Sequence, residues 1–253
     1  MKPYKWILLF LALLVFAAGV YLLLVPEINR QKQKTQSDRI VDAFFQEHPQ
    51  APAEPTLPRL PDGTTETEPT ETEELPYAEL LAAMQAYNEA IFSNGQSGLS
   101  DPWAYTAETI CLSDYGLDSE VVGVLTIPAM ELQEPIYLGA TKQHLNSGVA
   151  QLSISSMPIG GVDTNCVIAG HRGWDGALYF RHIEVLQVGD EVILTNLWQT
   201  LTYRVSEIEI IKPYQAEKIL IQPGRDLLTL ITCHPYGSGG RYRYVVYCER
   251  TEP

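Results

Sequence analysis

A cysteine at the end of an apolar segment is the side chain in this sequence best suited to covalent chemistry. Residues 227–232 are mostly aliphatic or β-branched, which predicts a buried strand, and Cys233 follows just before a His-Pro-Tyr-Gly break. His171 lies in a glycine-flanked loop after another apolar segment, and Arg243 enters a third one. A thiol, an imidazole and a guanidinium are the groups that acyl transfer through a thiol requires. The three residues therefore predict such a site if the fold brings them together.

Each of these side chains has a role that follows from its chemistry. An unassisted thiol is mostly protonated at neutral pH, so Cys233 needs a partner, and His171 can stabilise the thiolate and then protonate a departing amine. Arg243 can direct N–H donors at a carbonyl oxygen that gains negative charge. Arg241 is the alternative arginine, because both would share a face if the strand began early. His234 is predicted to point away from the thiol, because successive strand residues alternate between faces.

The segment Thr229–Cys233, TLITC, resembles the TLxTC signature of sortases, the membrane-anchored cysteine transpeptidases of Gram-positive bacteria. His171 and Arg243 stand in the order of that family, and the resemblance extends over about residues 121–250. It implies an eight-stranded barrel in which Cys233, His171 and Arg243 are catalytic and Thr232 contacts the substrate. It also implies that a sorting signal resembling Leu-Pro-x-Thr-Gly is cleaved after threonine and that the thioacyl intermediate on Cys233 passes to an amine.

A second motif, Asp101-Pro102-Trp103, precedes the predicted strands. Taken alone it predicts a helix or turn start, with Asp101 as the N-cap and Pro102 at the first helical position. It resembles the Asp-Pro-aromatic lid of class C, pilin-polymerising sortases, which implies that Asp101 contacts the basic active-site group and Trp103 covers the cysteine. The implied amine is then a pilin lysine. Because the sequence lacks the second membrane segment of many class C members, a wall-anchoring sortase that uses a cell-wall precursor as acceptor is the first alternative.

The N-terminal region predicts attachment to a membrane. Residues 6–25 carry no charge and are long enough for one bilayer crossing, which favours an uncleaved signal anchor. Basic residues on both sides leave the orientation open, and the resemblance implies an extracellular catalytic domain on a single-pass membrane protein.

The rest of the chain divides by composition. Residues 48–76 are crowded with Pro, Thr and Glu and predict a disordered stalk, whereas residues 77–92 have a helical apolar period. From residue 121 short strands alternate with turn residues, which predicts an all-β barrel or sandwich. The predicted divisions are a cytoplasmic tip (1–5), a transmembrane anchor (6–25), a polar stalk (26–76), a helix with the lid (77–118) and the catalytic barrel (119–253).

Several other classes of function are disfavoured. The formal net charge of −14 argues against nucleic-acid binding. Metal-ligand spacings are absent, no cofactor is predicted, and the sequence lacks the local cysteine motifs of papain-like or caspase-like proteases. Cys166 and Cys248 stand in apolar contexts and are predicted to be small buried hydrophobes. The non-enzymatic alternative is a stalked β-barrel adhesin or scaffold in which Cys233 is inert.

Overall fold

The computed structural model describes residues 4–49, 75–99, 101, 109–173 and 179–251. Most of the predicted Pro/Thr/Glu-rich stalk lies outside these ranges. Pro102 and Trp103 of the predicted lid also lie outside them, whereas Asp101 is described.

Eight strands form a closed barrel, in the order β1-β2-β3-β4-β7-β8-β6-β5. This confirms the predicted all-β fold. The strands are β1 (Val121–Ile127), β2 (Leu132–Leu138), β3 (Val149–Gln151), β4 (Thr164–Ala169), β5 (Glu191–Asn196), β6 (Thr200–Ile211), β7 (Asp226–His234) and β8 (Tyr242–Arg250).

The parallel pair β4 and β7 forms the central part of the barrel wall. Every residue of β4 is buried, as are residues 227–232 of β7, because both faces of these strands are covered. Such strands appear in the sequence as continuous apolar segments, and both β4 and β7 show this pattern. Their register pairs Ala169 with Ile231, so both strands end at the same edge of the barrel. This edge is where Cys233 emerges.

A long N-terminal helix, α1 (Tyr4–Glu47), joins the apolar N-terminal segment to the barrel. By length and composition it can cross a membrane, and its first half is exposed. Val41 and Phe44 in its second half are buried, and the Ser37 hydroxyl donates a hydrogen bond to the Glu134 carboxylate at 2.6 Å. Residues 26–47 fall in the predicted polar stalk, although residues 31–47 show a modest helical apolar face; in the structure they belong to α1, and this half of the helix lies against β2. The apolar residues of this helical half provide the contact.

Two further helices complete the fold. The helix α2 (Ala78–Ser93) matches the predicted helical period, and α3 (Lys142–Ser147) precedes β3. Leu80 and Met84 of α2 are fully buried, so this helix covers part of the barrel. Short 3₁₀ segments lie at Leu112–Tyr115, Pro128–Met130, Tyr179–Val185 and Ala216–Ile219.

The four cysteines are free thiols. Cys166 and Cys248 are buried in the core, as predicted, and burial raises the pKa of each thiol far above its ordinary value. Cys111 is exposed. Cys233 is the partly buried thiol at the barrel edge.

Candidate active site

The antiparallel pairing of β7 with β8 brings Cys233 opposite Arg243. Nη1 of Arg243 lies 3.7 Å from the Cys233 sulfur, and the arginine is only 5% exposed. Arg241 precedes the first residue of β8 and is exposed. The geometry therefore favours Arg243 over Arg241 as the cation that acts on groups bound at the thiol.

His171 follows β4 by two residues, and hydrogen bonds fix the backbone that leads to it. The amide N–H of Gly170 donates to the carbonyl of Ile231 at 3.2 Å, and the Thr232 hydroxyl donates to the Gly170 carbonyl at 2.7 Å. The parallel register ends at Ala169 and Ile231, and continuing it by two residues aligns His171 with Cys233. The carbonyl of His171 accepts a hydrogen bond from the Phe180 amide at 3.0 Å. The backbone that carries the imidazole is thus hydrogen-bonded to β7 on one side and to the 3₁₀ segment at Phe180 on the other.

Gly170 is required by the packing around this loop. A Cβ at this position would meet the ring of Phe180 at 2.9 Å, which is closer than side chains approach. The 3₁₀ segment Tyr179–Val185 can therefore lie directly over the backbone of the histidine loop only because residue 170 is glycine.

Thr232 lies beneath the candidate site, next to the histidine loop. The resemblance implied contact with substrate, but Thr232 is fully buried and its hydroxyl is used by the Gly170 carbonyl. On β7 it faces away from Cys233, because adjacent strand residues alternate between faces. Its side chain therefore positions the histidine loop and has no surface to offer a substrate.

The Asp101 carboxylate is hydrogen-bonded to the guanidinium of Arg243. Its two carboxylate oxygens accept hydrogen bonds from Nε and Nη2, each at 2.6 Å. The side chains are 6% exposed for the arginine and 22% exposed for the aspartate. A bidentate pair of this kind is the strong, directional form of a carboxylate–arginine contact. In this state the N–H donors on that edge of Arg243 cannot bind another oxygen.

Gly240 is part of the site and was not singled out from the sequence. Its carbonyl accepts a hydrogen bond from Nη1 of Arg243 at 2.6 Å. Its φ is +79°, and an added Cβ would lie 2.8 Å from Nη1 and 3.1 Å from the sulfur of Cys233. The Ser-Gly-Gly run before β8 was the available signal, because a glycine that must approach other groups closely often marks a site.

The electrostatics favour the uncharged forms of the thiol and the imidazole. Burial raises the pKa of the Cys233 thiol; Arg243 opposes this effect, Asp101 adds to it, and Arg172 opposes it weakly. Burial lowers the pKa of His171. With Asp101 in place, the site therefore holds a protonated thiol, which is the less nucleophilic form.

A second cluster lies on the other face of the same three chain segments. His234 points away from the thiol, as the strand alternation predicted, and its Nδ1 lies 2.8 Å from Nη1 of Arg172. Nη2 of Arg172 also forms an ion pair with Glu184 at 2.5 Å. The ring of Tyr244 lies 5.6 Å from that of His234. We call Arg172, Glu184, His234 and Tyr244 the outer cluster.

The described residues include no group of three or more His, Cys, Asp or Glu side chains arranged to hold a metal ion.

Comparison with known proteins identifies the family. The sortase domain model matches residues 125–251, about half of the chain. Sortase A of Staphylococcus aureus is 35% identical over 121 residues, which cover 47% of this chain and 57% of that protein; the chain spans about half the length of the curated relatives that it matches. Among solved structures, sortase C-1 of S. pneumoniae has a TM-score of 0.69 at 25% identity over 85% of this chain and 98% of that one. Sortase C1 of Streptococcus agalactiae has a TM-score of 0.64 at 28% identity, over 72% and 94% of the two chains. The chain belongs to the sortase family.

Proposed function

We propose that this protein is a cysteine transpeptidase that cleaves a sorting signal resembling Leu-Pro-x-Thr-Gly and transfers the acyl group to an amine. The observation that carries the proposal is the cross-strand pair of Cys233 and Arg243, with the Arg243 guanidinium 3.7 Å from the sulfur. Continuing the parallel β4–β7 register by two residues aligns His171 with Cys233. Nucleophile, oxyanion donor and general acid–base thus emerge at one edge of the barrel.

The proposed reaction has two steps. His171 takes the proton of the Cys233 thiol, and the resulting thiolate attacks the threonine carbonyl to form a C–S bond, while Arg243 donates N–H groups to the oxygen that gains negative charge. His171 gives a proton to the leaving amine as the C–N bond breaks, which leaves a thioacyl group on Cys233. In the second step an acceptor amine attacks that group, His171 takes a proton from the amine, and the sulfur leaves.

We further propose that Asp101 belongs to a lid that regulates this chemistry, since its carboxylate occupies the donors that the oxyanion would need. Solved neighbours named for pili, among them a pilus-related sortase C of group B Streptococcus, support a pilin lysine as the acceptor. The curated relatives named sortase A favour the second candidate, attachment to a cell-wall precursor amine. The two functions share the first step and differ only in the acceptor.

The proposed location is the cell membrane, with one crossing by α1 and the barrel outside the cell. The apolar, exposed first half of α1 supports this location. Since enzyme and substrate would then be tethered to one membrane, their effective concentration would be high without further contacts.

The test is mass spectrometry of the full chain in detergent after incubation with a library of sorting-signal peptides. We expect a thioacyl adduct on Cys233 and none in the Cys233→Ala variant. Adding a pilin-derived lysine peptide or a wall-peptide amine then shows which acceptor removes the adduct. If no peptide gives an adduct and a small alkylating agent also fails to label Cys233, the proposal is wrong and a β-barrel adhesin or scaffold becomes the better account.

A further inference from the structure

The outer cluster is adjacent in sequence to the proposed catalytic residues. Three of its members directly follow them in sequence: Arg172 follows His171, His234 follows Cys233, and Tyr244 follows Arg243. On β7 and β8 adjacent residues alternate between faces, so His234 and Tyr244 lie on the side opposite Cys233 and Arg243. Arg172 lies in the loop after β4 and reaches His234 from there. The outer side chains therefore contact one another across the same chain segments that carry the proposed catalytic residues.

The contacts of Arg172 connect two separate segments of chain. Its side chain is 3% exposed, and one nitrogen lies 2.8 Å from Nδ1 of His234 at the end of β7. The other terminal nitrogen pairs with Glu184 of the 3₁₀ segment Tyr179–Val185, whose side chain is half exposed. The same segment donates the Phe180 amide to the carbonyl of His171. Arg172 thus ties the histidine loop both to the cysteine strand and to the segment that covers it.

Two cross-links flank the row that contains His171 and Cys233. Before it, the Thr232 hydroxyl bonds the Gly170 carbonyl at 2.7 Å, and after it, Arg172 bonds His234. A parallel pair normally frays at the strand ends, where the ladder of backbone hydrogen bonds stops. Side-chain cross-links on both sides of one row replace that ladder and limit how far the two backbones can separate.

We propose that Arg172 and His234 are positioning residues that fix the separation between the His171 loop and the Cys233 strand end. This inference rests on the proposed function, because that separation matters only if the imidazole and the thiol exchange a proton during acyl transfer. Displacing a catalytic group by about 1 Å can slow a reaction on the order of 100-fold.

The cross-link depends on the charge of His234. Nδ1 of the neutral ring accepts a hydrogen bond from Arg172, but the same nitrogen lies 3.4 Å from the Glu184 carboxylate. A protonated ring would donate to Glu184 and repel Arg172. The remaining groups around the ring are Tyr244, packed beside it, and Tyr242, its register partner on β8. The hydrogen bond from Arg172 therefore requires the neutral ring of His234, with Nδ1 as the acceptor.

Two kinds of substitution separate positioning from general stability. His234→Asn places an amide oxygen near the position of Nδ1 and does not titrate, whereas His234→Leu removes the acceptor. Arg172→Lys keeps the charge without the forked donors, and Arg172→Met removes both. Arg204→Ala is the matched control, because Arg204 is also paired to a glutamate, Glu191 at 2.9 Å, but lies on an exposed part of β6.

The first measurement is kcat and KM for peptide transfer by the full chain between pH 5.5 and 8.5. We expect His234→Leu and Arg172→Met to lower kcat about 10- to 100-fold with little change in KM. Arg172→Lys should lower kcat by a smaller factor, and Arg204→Ala should leave kcat unchanged. His234→Asn should keep most of the wild-type kcat, because its amide oxygen can accept the hydrogen bond from Arg172.

The second measurement needs no substrate: the pH dependence of Cys233 alkylation by iodoacetamide in the same variants. It should change in His234→Leu and Arg172→Met and stay at the wild-type profile in Arg204→Ala. Altered alkylation together with a wild type that transfers no peptide would refute the proposed function and leave the positioning role standing. An active wild type whose kcat and alkylation profile are unchanged in both variants would overturn the positioning role alone. His234→Leu keeps this outcome accessible if Arg172→Met does not fold.

Discussion

Removing the Asp101 carboxylate should release Arg243 and activate Cys233. The pair has two hydrogen bonds of 2.6 Å, and the arginine side chain is only 6% exposed, so solvent screens it weakly. Hydrogen bonds to charged groups contribute about 1.5–3 kcal/mol, and we assign about 2 kcal/mol to the pair as a whole. That free energy corresponds to about a 30-fold shift in the ratio of uncovered to covered Arg243. Because Asp101 also raises the pKa of the Cys233 thiol, its removal should increase the thiolate fraction at neutral pH.

The assay is the rate of Cys233 alkylation by iodoacetamide at pH 7, followed by mass spectrometry of the intact chain. Asp101→Ala should react about 10- to 100-fold faster than wild type. Asp114→Ala is the matched control, since Asp114 is an exposed carboxylate in the 3₁₀ segment Leu112–Tyr115 and its removal changes the net charge equally. The Cys233→Ala variant corrects for labelling of exposed Cys111.

A double-mutant cycle tests whether the effect passes through the arginine. If Asp101 acts by occupying Arg243, then Asp101→Ala should have little effect in a chain that already carries Arg243→Ala. Equal alkylation rates for wild type and Asp101→Ala would refute the reasoning. The same acceleration with and without Arg243 would show that the carboxylate acts on the thiol directly.

Two other predictions concern side chains that support the site. Thr232→Val should lower the free energy of unfolding by about 1–2 kcal/mol, because it leaves the buried Gly170 carbonyl unpaired; chemical denaturation measures this, and a slower peptide-transfer rate should accompany it. Glu134→Gln should raise the melting temperature of the full chain in detergent at pH 8 but leave it unchanged near pH 4. Burial raises the pKa of Glu134 to about 7, and the Ser37 hydrogen bond opposes this shift. The stability that the neutral carboxyl contributes is therefore fully present below the unfolded pKa of about 4.3 and is lost as the pH rises through about 7. Equal melting temperatures of variant and wild type at pH 8 would contradict the second prediction.

The strands were predictable because their physics is local. Continuous burial gives β4 and β7 their apolar segments, and turn residues separate the others. The choice of Arg243 over Arg241 was less secure, because it depends on where β8 begins and how it pairs with β7. The register favours Arg243 by placing it opposite Cys233. No local pattern determines such a register, which the complete barrel imposes.

The features that the sequence did not disclose depend on partners distant along the chain. Ser37 of α1 contacts Glu134 of β2, 97 residues away, so the packing of this part of the predicted stalk on the barrel could not be predicted from the local sequence. The buried state of Thr232 also depends on Gly170, 62 residues earlier. A polar side chain next to a catalytic cysteine suggests substrate contact, but a buried carbonyl that needs a donor is an equally strong reason for a threonine.

The parallel pairing of β4 and β7 explains why reactive groups and stabilising groups alternate along this chain. A parallel pair brings two strand ends to one edge, so His171 and Cys233, 62 positions apart, share a row. The same alternation turns Thr232 and His234 to the other face, where they bond Gly170 and Arg172. Substituting the residue before or after Cys233 should therefore change its reactivity through the position of the histidine loop, with no change in the groups that face the substrate. We therefore expect substitutions of Thr232 and His234 that remove these hydrogen bonds to lower the rate of peptide transfer, and substitutions that keep the bonds to leave the rate nearly unchanged.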